Sequence, residues 1–106
     1  MEIKITYERL LYCFENDDKY PIDETIFYFD DDPEEEHHYI GCLRQYEKPY
    51  WAGYCDIPDG CEFLTAHELF TAKIYDQQSI KDRWKHLVLV ELCGIPAENW
   101  VKSYLR

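Results

Sequence analysis

The sequence predicts an α+β fold, with a small, mainly antiparallel sheet packed by a few short helices. Segments rich in β-branched and aromatic residues cluster in the middle of the chain, and helical patterns lie mainly towards its ends. The regular strand–helix alternation of a doubly wound sheet is absent. With 106 residues and 46% hydrophobic composition, the chain suits a single domain, residues 1–106, with one core.

The first element is ambiguous between strand and helix. Ile3 and Ile5 alternate with charged neighbours as in a strand, whereas Tyr7 and Leu10 fit one face of a helix. A helix is favoured from about Thr6 onward.

Three strands are predicted in the middle of the chain. ETIFYF, residues 24–29, is rich in β-branched and aromatic residues, which favour strands. HYIGCLRQ, residues 38–45, and PYWAGYCDI, residues 49–57, read as a hairpin joined by a short turn. A Pro-Asp-Gly turn at residues 58–60 ends the last of them.

The second half combines helices with one buried strand. Thr65 and Glu68 have the spacing of a capping box, which predicts a helix over residues 66–72. Ser79 is the expected N-cap of another short helix. HLVLVELC, residues 86–93, indicates a buried strand, and Pro96 suits the first turn of a final helix.

The charge is concentrated in the first third of the chain. Residues 1–36 hold 13 acids and 3 bases, which gives −10, whereas residues 37–106 hold 9 acids and 8 bases, which gives −1. Nucleic acids and anionic membranes are disfavoured as direct ligands, because they need clustered basic residues. A basic protein is the expected complement.

The remaining composition indicates a soluble cytoplasmic protein. No run of about 18 apolar residues is present, and the start lacks the basic and apolar regions of a signal peptide. The cysteines form no CxxC pair and are expected to pack mostly as small hydrophobes in a reducing compartment. They are Cys13, Cys42, Cys55, Cys61 and Cys93.

Residues 30–36, here called the acidic run, place six carboxylates in seven positions, and two histidines follow. Glu35, Glu36, His37 and His38 are potential metal ligands, with the aspartates at 30–32 nearby. A dedicated site is not favoured, because the run lacks a calcium-loop pattern and adjacent side chains of an extended segment point apart. We therefore predict no metal and no cofactor.

Catalysis is also not favoured, although a Cys–His or Ser–His pair could meet in space. His67 falls within the capping box, and serine occurs only at Ser79 and Ser103. The sequence contains neither a phosphate-binding glycine loop nor a nucleophile elbow. We expect a protein that is not an enzyme.

The acidic run is better interpreted as part of a binding surface than as a solubilising loop. The hairpin that follows carries more aromatic residues than a small core needs, and tyrosine is a typical interface anchor. Trp51 is the aromatic residue expected in the core. The predicted partner-binding residues are Asp17, Asp18, Asp30, Asp31, Asp32, Glu34, Glu35, Glu36, Tyr28, Tyr39, Tyr46, Tyr50 and Tyr54.

Three segments carry a resemblance to a known family. YFDDDPEEEHHYIGCL, KPYWAGYCDIPDGCEFLTAHELFTAKIYD and SIKDRWKHLVLVELCGIPAENW together resemble small bacterial immunity proteins of contact-dependent growth inhibition and related polymorphic toxin systems. The resemblance spans about residues 24–101. It rests on the order of an acidic loop, a hairpin rich in Tyr and Trp, and the helical segments that follow, and not on a catalytic signature.

The resemblance implies an antitoxin that binds the C-terminal domain of a cognate toxin one-to-one. The toxin would act in the cytoplasm as a basic nuclease, such as a ribonuclease or tRNase, and its basic surface would suit the acidic face predicted here. One alternative is a small acidic adaptor for another basic protein. A second is a metal-dependent enzyme.

Overall fold

A computed structural model describes residues 5–53 and 60–105 of the chain. Three α-helices, α1 to α3, accompany six strands, β1 to β6, and one short 3-10 helix. The helices are Tyr7–Glu15, Ala66–Thr71 and Ala97–Tyr104, and the 3-10 helix is Trp84–His86. The strands are Thr25–Phe29, His38–Cys42, Tyr50–Ala52, Cys61–Phe63, Leu87–Leu92 and Ile95–Pro96.

The six strands form one sheet in the order β4-β3-β2-β1-β5-β6. All five pairings are antiparallel, which confirms the predicted α+β class and the hairpin of β2 with β3. The pairing of β1 with β5 shifts register between Ile26 and Phe27, as at a β-bulge.

The three helices bury side chains against the same face of the sheet. Because strand side chains alternate, Phe27 and Phe29 of β1 point to this face, together with Ile40 of β2 and Leu89 of β5. Trp100 of α3 is fully buried in this core, and its indole N–H donates to the Pro21 carbonyl at 2.7 Å.

The helix α1 confirms the helix favoured from about Thr6 onward, whereas Ile3 lies outside the described residues. The Thr6 hydroxyl caps it by accepting a hydrogen bond from the Arg9 backbone N–H at 3.1 Å. Leu10, Cys13 and Phe14 recur at helical spacing and are buried. Burial of this stripe favours the helix over the alternating strand pattern.

The predicted capping box is present. The Thr65 hydroxyl accepts from the Glu68 N–H at 3.1 Å, and the Glu68 carboxylate accepts from the Thr65 N–H at 3.2 Å. The helix that follows ends at Thr71, one residue before the predicted end.

The segment after Ser79 differs from the prediction. Ser79 and Asp82 exchange two hydrogen bonds of 3.0 Å, as at a helix start, but turns and the 3-10 helix follow instead of an α-helix. The sequence also gave no prediction of β4 or β6, which are only three and two residues long. Strands this short carry too few residues for a period to be read.

Two other predictions fall partly outside the described residues. The strand predicted over 49–57 is present as Tyr50–Ala52, and residues 54–59 are not described. The turn predicted at Pro58 and Asp59 lies there too. Across the described residues, none of the helices has both the length and the apolarity needed to cross a bilayer.

Candidate functional site

The side of the sheet opposite the helices presents a surface of aromatic and aliphatic side chains. We call it the open face and define it by Ile26, Tyr28, Tyr39, Trp51 and Val88. The register places Ile26 opposite Tyr39 and Tyr28 opposite Val88, and these four side chains are all half-buried. Carboxylates join the same face at Glu91, opposite Ile26, and at Glu62, opposite Trp51.

Trp51 is held flat on the open face by Asp23 and Gly41. Gly41 lies opposite Trp51, and a Cβ there would come within 2.7 Å of the indole. One carboxylate oxygen of Asp23 accepts from the Trp51 indole N–H at 2.8 Å and from the Cys42 backbone N–H at 3.0 Å. Burial raises the pKa of Asp23, although these two hydrogen bonds oppose that shift.

The expected burial of Trp51 is confirmed, because this residue is 8% exposed. Its position differs from the expectation, because it lies on the open face and outside the main core cluster. Tyr50, its neighbour, points into the core instead.

Tyr50 requires a correction. It was predicted as a partner contact, but it is 5% exposed and its hydroxyl donates to the Phe14 carbonyl at 3.0 Å. The alternation of β3 forces adjacent residues to opposite faces, and the face that received Tyr50 is the one that the helices cover. Tyr50 therefore belongs to the core.

Three of the other predicted tyrosines lie on or beside the open face. Tyr28 and Tyr39 are half-buried there, and the Tyr28 ring stacks on His37 with ring centroids 6.1 Å apart. Tyr46 lies in the turn between β2 and β3 and is 57% exposed. Tyr54 lies outside the described residues.

The acidic run folds around the carboxylate of Asp32. Its two oxygens accept from the backbone N–H groups of Glu34 and Glu36, both at 3.0 Å, and these bonds lower the pKa of Asp32. Glu35 takes a positive φ of 49° inside this turn. The three glutamates Glu34, Glu35 and Glu36 are consequently displayed on an ordered loop with exposed side chains.

The first two aspartates of the run are anchored to the segment before β5. His86 Nδ1 lies 2.9 Å from the Asp30 carboxylate, and Arg83 forms an ion pair with Asp31. The Arg83 guanidinium also stacks 3.9 Å from the centroid of the Phe29 ring. Asp30 and Asp31 therefore hold the run in place, which leaves less of their charge for a partner.

The two earlier aspartates of the prediction differ from each other. Asp17 pairs with Arg44, and although burial opposes the shift, this ion pair lowers the pKa of Asp17. Its side chain is only 12% exposed. Asp18 is exposed.

A metal site at the acidic run gains little support from the geometry. Within the described residues, the group close enough to share an ion is Asp30, Asp31 and His86, whose ligand atoms lie within 4.8 Å. Arg83 already pairs with Asp31, and its positive charge disfavours a second cation there. The ligands considered from sequence, Glu35 to His38, are not brought together in that group.

Two buried cysteines lack the character of nucleophiles. Burial raises the pKa of the Cys13 thiol to about 11 and that of Cys42 to about 12, so both stay protonated at neutral pH. Cys61 is half-buried and packs against the core, so the expected packing as small hydrophobes holds for Cys13, Cys42 and Cys61. Cys93 is exposed, and Cys55 lies outside the described residues.

A pocket of about 420 Å³ lies at the edge of the open face beside Trp51. Tyr46, Trp51, Leu43, Glu24, Glu62 and Lys48 are among the residues that line it. The prediction from sequence included Tyr46 but missed Glu24 and Glu62. The pairing of Glu62 with Trp51 depends on β4, which the sequence did not reveal.

The fold and this surface define a small α+β protein whose sheet packs its described helices on one face and carries half-buried aromatic side chains on the other, beside an acidic loop with exposed glutamates. Comparison with known proteins returned no match to a protein-family model, to a curated protein or to a solved structure. Function must therefore be argued from the surface.

Proposed function

We propose that this protein is an immunity protein that binds and neutralises a basic toxin domain, with the open face and the acidic run as its binding surface. The observation that carries the proposal is the combination of half-buried aromatic side chains on the sheet face opposite the described helices with exposed carboxylates beside them. The complex is one-to-one and cytoplasmic, and the toxin is a nuclease, as the family resemblance implies.

Each half of this surface supplies a different part of the binding. Glu34, Glu35 and Glu36 attract a positively charged partner at long range and raise the association rate. Tyr28 and Tyr39 are half-buried on a rigid sheet, so they offer apolar area at small cost in conformational entropy. A nuclease surface evolved for a polyanion suits the first part because it carries clustered Lys and Arg.

The first test is neutralisation. If a neighbouring gene encodes a basic toxin domain, that domain is co-expressed with this protein, and cell survival and nuclease activity are measured; the absence of such a gene favours the adaptor. Rescue and a purified one-to-one complex are expected. If the toxin stays active in the presence of excess protein, the immunity assignment is wrong, and capture of a different basic protein then favours the adaptor.

The second test locates the surface by charge reversal. Glu34, Glu35 and Glu36 are changed to lysine together, and the association rate with the toxin domain is measured at several salt concentrations. At low salt, we expect the association rate of the triple variant to be roughly tenfold or more below that of the wild type. The difference between the two rates should become smaller as added salt shortens the Debye length below about 10 Å.

A matched control separates the position of the charge from its amount. Glu8, Glu15 and Glu98 are exposed on α1 and α3, in the helix layer, and their reversal changes the net charge equally. This variant should slow association much less. Equal effects of the two triple variants would assign the steering to net charge alone and would remove the acidic run from the interface.

A further inference from the structure

The pocket beside Trp51, here called the Tyr46 pocket, combines aromatic walls with carboxylates. Trp51 forms its floor, and the exposed ring of Tyr46 stands at its side. Glu24 and Glu62 both line it and are themselves exposed. Its volume of about 420 Å³ is sufficient for one long side chain and too small for a folded element.

The floor of this pocket is rigid because its hydrogen bonding is complete. The Trp51 indole N–H is bound to the Asp23 carboxylate at 2.8 Å, so the polar edge of the ring is used and the ring cannot turn. Gly41 has no side chain and allows the indole to lie against the sheet. A preorganised aromatic surface binds a ligand without a further ordering cost.

We infer that the Tyr46 pocket is the receptor for an arginine side chain of the basic partner. This inference rests on the proposed function, which supplies a basic partner. A guanidinium group is planar, stacks on aromatic rings, and donates hydrogen bonds to carboxylates in a fork. The exposed Tyr46 provides the ring for stacking, the largely buried Trp51 provides an apolar floor, and Glu24 and Glu62 provide acceptors.

The charges on the chain favour this occupant over two others. A second copy of the chain is disfavoured, because each copy has a net charge of −11 and the surface would meet its own sign. A neutral apolar side chain would offer the carboxylates of Glu24 and Glu62 no hydrogen-bond donor, whereas a guanidinium offers charged donors. Lys48 lines the same pocket and reduces its negative potential, so it competes with an incoming cation.

The test is a titration of the isotopically labelled protein with N-acetyl-arginine methylamide, followed by NMR. The chain has three indole N–H groups, at Trp51, Trp84 and Trp100, and the last two donate to backbone carbonyls elsewhere in the fold. We expect a saturable shift of the Trp51 indole signal, with the other two as internal controls. The lysine analogue should bind more weakly and the leucine analogue should cause no saturable shift.

Variants assign the binding to the rings and the carboxylates. Tyr46→Ala should weaken binding of the arginine probe about threefold or more, whereas Tyr46→Phe, which keeps the ring, should retain it. Tyr12→Ala is the control, because Tyr12 is also half-exposed but lies on α1. It should leave the affinity unchanged.

The double variant Glu24→Gln/Glu62→Gln should also weaken binding about threefold or more. The control with equal charge change, Glu34→Gln/Glu35→Gln, lies in the acidic run and should have a smaller effect. Lys48→Met should strengthen binding, because it removes the competing cation. The unchanged signals of Trp84 and Trp100 report that each variant is folded.

The inference is overturned if the Trp51 signal does not move at saturating arginine probe, if the leucine analogue shifts it equally, or if Tyr46→Ala binds like Tyr12→Ala. These outcomes are independent of toxin neutralisation. Neutralisation without arginine binding would reject the pocket and keep the immunity function. Arginine binding without neutralisation would keep the pocket and reject that function.

Discussion

Asp23 holds Trp51 of the open face and the backbone of β2 through hydrogen bonds, and its replacement by alanine is expected to destabilise the protein. One of its oxygens accepts from both the Trp51 indole N–H, at 2.8 Å, and the Cys42 backbone N–H, at 3.0 Å. Alanine leaves both donors without an acceptor at a half-buried position. A buried donor without a partner costs about 1–3 kcal/mol, so we expect a loss of about 2–4 kcal/mol.

Asparagine at the same position should behave differently. Its side-chain oxygen can still accept both hydrogen bonds, so Asp23→Asn should cost less than about 1 kcal/mol at pH 7. A matched control is Asp18→Asn, because Asp18 is exposed and its replacement removes the same charge. It should leave the free energy of unfolding nearly unchanged.

The pH dependence of stability follows from the raised pKa of Asp23. Between the unfolded pKa of about 3.9 and the higher folded pKa, the folded state holds the proton more tightly than the unfolded state. The contribution of this group is therefore fully present below the unfolded pKa and is lost as pH rises through the folded pKa. Asp23→Asn lacks an ionisable group and should not show this loss.

The assay is urea unfolding followed by circular dichroism for the wild type and the three variants, at pH 7 and at a series of lower pH values. Adding Trp51→Phe, alone and with Asp23→Ala, completes a double-mutant cycle. Its coupling energy should be about 1 kcal/mol, because the two residues share one hydrogen bond. If Asp23→Ala were as stable as Asp18→Asn, or the cycle were additive, the role given to Asp23 would be wrong.

Four further predictions concern the sheet and its loops. Gly41→Ala should cost about 3 kcal/mol or more in unfolding free energy, because an added Cβ would overlap a carboxylate oxygen at 1.9 Å. Gly94→Ala has open space and a positive φ of 79°, so it should cost only about 1 kcal/mol in the same unfolding assay. Asp32→Ala should accelerate hydrogen exchange of the loop amides bound by its carboxylate, with little change in Tm. Lys73 and the Ser79 backbone N–H lower the pKa of Asp82 to about 2. The stability that the Asp82 carboxylate provides is therefore present above its unfolded pKa and is lost as pH falls towards 2. In Asp82→Asn, the free energy of unfolding should fall less steeply over this pH range.

The sequence predicted the elements whose signals are local. Thr65 and Glu68 lie three residues apart, and their reciprocal hydrogen bonds involve only the turn between them. The apolar spacing of α1 and the composition of β1 are equally local. Such elements follow from short-range sterics and hydrogen bonds, so composition and spacing are sufficient to find them.

The sequence did not predict how the acidic run is used. Asp30 and Asp31 meet His86 and Arg83, which lie more than 50 residues later in the chain. The pairing of β1 with β5 brings these segments together. From the sequence, all six carboxylates looked equivalent, whereas the structure uses the aspartates internally and displays the glutamates.

The sequence by itself determined the α+β class, the acidic first third and the alternation that sends Tyr50 and Trp51 to opposite faces. Only the tertiary structure decided which of those faces the helices cover. The physical reason is that alternation is a property of one strand, whereas burial depends on where distant segments pack. That choice placed Tyr50 in the core, left Tyr28 and Tyr39 on the open face, and created the Tyr46 pocket beside Trp51.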